Sequence, residues 1–296
     1  MPDLKGALSG ADRQEALWLE PVSLDLAWKE PAENLRRMRA EIQGRLKSRP
    51  EIPAGERLFV FPELTLTGFV TDEPRSAALS RESAPVRAVS DLAREFGTGI
   101  LAGFPEPGSK DGSVKNTLLG FGPDGSIFAD YQKLHLFTAG KPAESETYES
   151  GERGAVANYR GWRIGLGICF DLRFPELFQA YAAEGADVMV LPACWVGGPT
   201  KSQQFKSLAQ AHAILTQSFF LAVNRSGSDP NFQYEGEAFF FGPRGEGFEG
   251  AGPFHLDPVL LEKARGLPVR ASRRSRYEVR AQAFELREKA CAILKR

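Results

Sequence analysis

The chain has 296 residues, is 42% hydrophobic and 25% charged, and carries a formal net charge of −1. This is the composition of a globular protein with a sizeable core, and it excludes a low-complexity or disordered chain. The near-neutral balance supplies no global field for nucleic acid or an anionic membrane, so neither is an expected partner.

Cys169, Cys194 and Cys291 are the only cysteines, widely spaced and without a CxxC pair. That argues against a disulfide framework or a metal site and suits a reducing cytoplasm. Met1 to Glu15 is polar and lacks the apolar stretch of a signal peptide. The run Phe219 to Val223 is far too short to span a bilayer. The expectation is a soluble, cytoplasmic protein.

Along the chain, short apolar runs alternate with amphipathic segments. Ala16 to Leu19 reads as an opening strand. Ala32 to Leu46 then places Leu35, Met38, Ile42 and Leu46 on one helical face. A compact strand, Arg57 to Phe61, closes on Pro62-Glu63. Pro85 to Phe96 reads as a helix and Thr98 to Phe104 as a strand. Leu118 to Phe121 and Ile127 to Tyr131 flank Gly122-Pro123-Asp124-Gly125, a hairpin signal. The second half repeats the alternation with strands 162–168, 187–191 and 218–223, helices near 175–184 and 205–216, and a second hairpin around Phe241 to Gly245. Interleaved helices, strands and hairpins predict an α/β layered fold with mixed sheets. The two similar hairpins hint at internal symmetry. No composition shift marks a boundary, so one domain over 1–296 is expected, with a core at about 16–260 and an extension at about 261–296. In that extension, Arg270 to Arg280 reads as a solvated strand edge, and Ala281 to Arg296 as a polar helix.

Gly165-Leu166-Gly167-Ile168-Cys169-Phe170-Asp171-Leu172-Arg173-Phe174-Pro175 carries the most chemistry. Cys169 falls between a buried strand and a helix start, where a sharp turn lifts a side chain toward a cleft beside free peptide N–H groups. On this segment alone it is either a nucleophile or a small core thiol. An unassisted thiol is only about 3% ionised at neutral pH, so a nucleophile here needs activation. None of His135, His212 and His255 stands in an obvious base context. Glu63, at a strand end and partly desolvated, suits a general base, or else is a turn carboxylate paired nearby. Lys133, after another strand, can stabilise an oxyanion and lower the thiol pKa, or be plain surface. Together, Glu63, Lys133 and Cys169 fall where buried strands end, and such ends share one face of an α/β sheet.

Phe61-Pro62-Glu63 with Thr67-Gly68-Phe69, Lys133 to Phe137, Gly167 to Asp171, and Val223 to Gly227 resemble, in order, the motifs of the carbon–nitrogen hydrolase (nitrilase) superfamily. The resemblance implies a four-layer α-β-β-α sandwich of two mixed sheets, and a homodimer or higher homo-oligomer. It also implies a Glu-Lys-Cys catalytic set needing no metal or organic cofactor, with a second glutamate matched by Glu144 and, failing that, Glu146. The continuation after Cys169 resembles the branch of ω-amidases and deaminated-glutathione amidases. That implies hydrolysis of a small amide, a short dicarboxylic acid monoamide, through a Cys thioester. Alternatives on the same residues are N-carbamoyl hydrolysis, nitrile hydrolysis, or a non-catalytic binding protein; a redox-sensing thiol is a further one.

Phe170 offers its N–H to the oxyanion, and Cys194 and Trp195 are candidates for the pocket wall. Arg173 would pair with a substrate carboxylate, or form a structural salt bridge with Asp171 or Glu176. The chain departs from its branch at Gln204-Phe205, His212 to Thr216 and Gly236-Glu237-Ala238, which leaves pocket shape and oligomer contacts open.

Overall fold

The computed structural model describes residues 14–110, 112–138, 143–248 and 250–266. The expected Arg-rich edge, the terminal helix and Cys291 lie outside them. The first half runs β1 (Trp18–Pro21), α1 (Pro31–Ser48), β2 (Arg57–Val60), α2 (Ala84–Phe96), β3 (Gly99–Pro107), β4 (Val114–Phe121) and β5 (Ile127–Gln132). After a short helix, α3 (Glu144–Thr147), come β6 (Val156–Tyr159), β7 (Trp162–Leu166), α4 (Pro175–Ala183), β8 (Val188–Ala193), α5 (Lys201–Thr216) and β9 (Phe219–Asn224). The short strands β10 (Ser226–Ser228), β11 (Gln233–Glu235), β12 (Ala238–Phe241), β13 (Gly247–Phe248) and β14 (Phe254–His255) precede α6 (Pro258–Arg265).

Two six-stranded sheets result, ordered β14-β1-β2-β3-β4-β5 and β13-β12-β9-β8-β7-β6. In each, three central parallel strands are flanked by antiparallel ones. The two Gly-Pro-x-Gly turns join β4 to β5 and β12 to β13, the last two strands on one side of each sheet. The internal symmetry hinted at by those turns is therefore present in the topology.

Alternation along the strands explains the layers. Leu58 and Val60 of β2, and Val188 and Val190 of β8, enter one central core between the sheets. Phe59 turns outward, joining Met38 and Ile42 of α1 and Val86 and Val89 of α2. Met189 and Leu191 turn outward on the other side, against Phe178 of α4 and Phe205 of α5. Strands buried on both faces read as continuous apolar runs, which is why they stand out in the sequence. The architecture is the expected α-β-β-α sandwich.

Arg57 anchors the amino end of β2. It is fully buried, pairs with Glu20 at 3.0 Å, and donates to the carbonyls of Arg45 and Ile52 at 3.0 Å and to that of Arg49. The Arg45 and Arg49 carbonyls lie at the carboxyl end of α1, where intrahelical donors run out, and the Ile52 carbonyl lies in the loop that follows.

At the opposite end of β2 the chain turns sharply, with Leu64 at φ +49°, and nests against β3. Leu66 N–H donates to Gly103 O at 3.1 Å, and Asn34 of α1 donates to Leu66 O at 3.1 Å. A Cβ on Gly103 would lie 2.8 Å from Leu64 N, so glycine is required by this approach. Gly103→Ala is expected to cost about 1–3 kcal/mol, the usual penalty of overpacking. Urea unfolding should show it as a lower midpoint with an unchanged slope; an unmoved midpoint would mean that the loop shifts freely.

Candidate active site

Glu63 follows β2, Lys133 follows β5 and Cys169 follows β7, so the site collects strand ends from both sheets. The expectation of a single sheet is corrected here: two sheets stacked face to face bring equivalent ends together. A cleft with about 520 Å³ of space, counting its mouth, is lined by Glu63, Lys133 and Cys169. Phe170, Arg173, Cys194 and Trp195 line it too, together with Phe69, Phe137, Val196, Lys201 and Phe232.

Lys133 is the hub. Its Nζ lies 2.8 Å from Glu63 Oε1 and 2.9 Å from both carboxylate oxygens of Glu144. All three side chains are buried. Burial acts to pull the ammonium of Lys133 down, but Glu144 and Glu63 outweigh it and hold its pKa well above the usual lysine range. Glu144 also accepts from Phe137 N–H at 2.8 Å, and burial raises its pKa despite Lys133. Glu144 rather than Glu146 thus occupies the position beside Lys133.

Glu63 accepts from Asn116 Nδ2 at 2.7 Å and from Cys194 N–H at 2.7 Å. Asn116 reaches Glu144 Oε1 as well, at 3.4 Å, and its own carbonyl accepts Lys133 N–H at 2.9 Å. Sequence reasoning missed Asn116. The available signal was an asparagine within a strand run, a residue that strands disfavour.

Cys169 has φ +45° and opens a 3₁₀ turn, Cys169–Arg173. A non-glycine residue in the left-handed region costs free energy and persists only where its surroundings enforce it. The enforcing group is Asp171, fully buried. Its carboxylate accepts Ile168 N–H at 2.9 Å, His135 N–H at 3.0 Å and Tyr131 O–H at 2.7 Å, and meets His135 Nδ1 at 2.7 Å. One carboxylate therefore clamps the Lys133 segment to the Cys169 segment. It forms no salt bridge with Arg173, because the 3₁₀ turn directs Asp171 inward and Arg173 outward.

Burial and the Glu63 carboxylate push the Cys169 thiol well above its ordinary pKa, with Lys133 countering only in part. Lys133 acts in the expected direction, lowering the thiol pKa, but burial and Glu63 outweigh it. No histidine lines the cleft. His135 serves Asp171, His212 lies 2.8 Å from Leu172 O beneath the nucleophile turn, and His255 contacts Trp18.

Arg173 lies over the Trp195 ring at 4.9 Å and donates to Gln204 Oε1 at 2.8 Å. The Trp195 backbone is held on both sides by Asn224, at 2.7 and 3.0 Å. Phe205 packs against the Trp195 ring at 5.3 Å. The atypical Gln204-Phe205 pair therefore supports the pocket wall. Phe170 meets Phe137 and Phe174 edge-on. Among the described residues, no cluster of three His, Cys, Asp or Glu side chains is arranged to hold a metal, and no helix is long and apolar enough to cross a membrane.

Residues 23–261 match the family model for carbon-nitrogen hydrolase. The chain belongs to the carbon–nitrogen hydrolase family. This carbon–nitrogen hydrolase is 36% identical to 2-oxoglutaramate amidase of Paenarthrobacter nicotinovorans over 189 residues, covering 61% of this chain and 63% of that one. The match thus spans less than two thirds of that relative's length. Identity to omega-amidase NIT3 of Saccharomyces cerevisiae is 29% over 261 residues, 81% of this chain and 87% of that protein. The crystal structure of yeast Nit3, a member of branch 10 of the nitrilase superfamily, superimposes with a TM-score of 0.77 at 25% identity, covering 90% of this chain and 99% of that one.

The clamp makes a testable ordering. Asp171→Ala is expected to cost about 3 kcal/mol or more, because several buried donors lose their acceptor together, whereas Tyr131→Phe should cost about 1 kcal/mol. Chemical denaturation of the two variants checks it.

Proposed function

We propose that this protein is an amidase that hydrolyses a small amide, a short dicarboxylic acid monoamide, to the acid and ammonia through a thioester on Cys169. One observation carries the reading: a strained cysteine shares a cleft with a lysine held between two buried glutamates. The names of the amidase relatives support the substrate class.

In this mechanism Glu63 takes the Cys169 thiol proton as sulfur attacks the amide carbonyl. The C–S bond forms, and negative charge gathers on the carbonyl oxygen. Lys133 and the Phe170 N–H stabilise that charge. Collapse breaks the C–N bond, the Glu63 proton passes to nitrogen, and ammonia leaves. Glu63 then deprotonates a water, whose oxygen attacks the thioester. The C–S bond breaks, the proton returns to sulfur, and the acid departs. Glu144 orients Lys133, and no metal or organic cofactor takes part.

A resting thiol that stays protonated fits this order of events. Proton transfer to Glu63 is then coupled to attack. The reading also includes one catalytic domain across 1–296, supported by the span of the family match, and a homodimer, which the family resemblance supports. The free thiols of Cys169 and Cys194 favour a reducing cytoplasm.

Cys169→Ala is expected to abolish ammonia release from a dicarboxylic monoamide, and intact mass spectrometry should find an acyl adduct on the wild-type protein alone. Full ammonia release by the variant would overturn the mechanism. Carbon dioxide released with ammonia, or turnover of a nitrile, would reassign the substrate. Alkylation of Cys169 by iodoacetamide should still be rising with pH beyond about 8.5, the value of an unperturbed thiol. A plateau in the acid range would contradict a protonated resting thiol.

A further inference from the structure

We infer that Lys201, acting with Arg173, is the residue that reads a carboxylate at the far end of the substrate. The inference rests on the reading of this cleft as an amide site and adds the residue that sets its charge preference.

The cleft is divided by charge. At its depth, the Lys133 ammonium is matched by two carboxylates, Glu63 and Glu144. Among the described residues the other charged groups of the lining are Arg173 and Lys201, and no carboxylate of the lining opposes them. The Lys201 ammonium has no hydrogen-bond or ion-pair partner among the described residues, while Arg173 spends one N–H on the neutral Gln204. The nearest glutamates in this loop's hydrogen-bond network are engaged otherwise: Glu235 accepts Gly198 N–H at 3.3 Å, and Glu237 accepts the Ser202 hydroxyl.

Trp195 touches both residues that carry the cations. Arg173 rests on its ring, and its indole N–H donates to Lys201 O at 3.0 Å. The indole is nearly fully buried, and Asn224 locks its backbone. The Arg173 guanidinium and the Lys201 backbone are therefore both placed by one buried side chain, so the two cation-bearing residues stand on the same wall of the cleft. A neutral amide end suits the depth beside Cys169, and an anionic end suits the mouth. A neutral acyl chain between them meets the apolar wall.

The test compares kcat/KM for succinamate, which carries a carboxylate, with that for butyramide, which does not. In Lys201→Met the ratio should fall by about tenfold or more, the loss of one charge-assisted hydrogen bond. Lys201→Glu should lower it further, and Lys201→Arg should retain it. Calorimetric titration with glutarate, which needs no turnover, should show affinity falling in the same order. Thermal melting confirms that each variant is folded. An unchanged ratio and unchanged glutarate affinity in folded Lys201→Met and Lys201→Glu would overturn the role of Lys201 while leaving the amidase reading intact. A wild-type protein that hydrolyses neither amide overturns the amidase reading, and glutarate affinity then decides the carboxylate site alone.

Discussion

The site depends on a single buried charge arrangement, the Lys133 ammonium between Glu63 and Glu144. Three charges taken out of water cost several kcal/mol each unless partners replace the lost hydration. Here the replacements are peptide N–H groups from Phe137 and Cys194 and the amide of Asn116. They come from both sheets, so the charge cluster is satisfied only when the sandwich is assembled. Glu63 and Glu144 would repel each other without the lysine, and Lys133 would be uncompensated without them. The geometry of the base and of the oxyanion partner is therefore a product of the fold.

Glu63 and Cys169 were legible because each follows an apolar run buried on both faces, and Lys133 because it follows the half-buried edge strand β5, marked by the hairpin turn before it. Such runs are conspicuous, and reactive residue types directly beyond them stand out. Asp171 was visible but misread. Two residues from Arg173 in sequence, it invites pairing with it, yet a 3₁₀ turn sends the two in different directions. Asn116 escaped notice because its partners, Glu63 and Glu144, lie 53 and 28 residues away. The short strands β6, β10, β11 and β14 were missed for a related reason. They are defined by pairing across the fold rather than by a local apolar period.

The departures from the branch pattern at 204–216 also become intelligible. Gln204 holds Arg173, Phe205 backs Trp195, and His212 meets Leu172 O under the turn that bears Cys169. These substitutions act on the pocket wall and on the support of the nucleophile. They leave the lysine and its two carboxylates untouched.

Arg57 has a consequence beyond closing α1. It anchors the amino end of β2, and Glu63 follows the carboxyl end. Framework strength and chemical identity are thereby partitioned between opposite poles of the same strand. Changes confined to the loops at the reactive pole share no partners with the Arg57 anchor, and effects at sites without shared partners tend to be independent. That partition gives the scaffold evolutionary latitude: selectivity can be rewritten at one pole while the other keeps the sandwich closed.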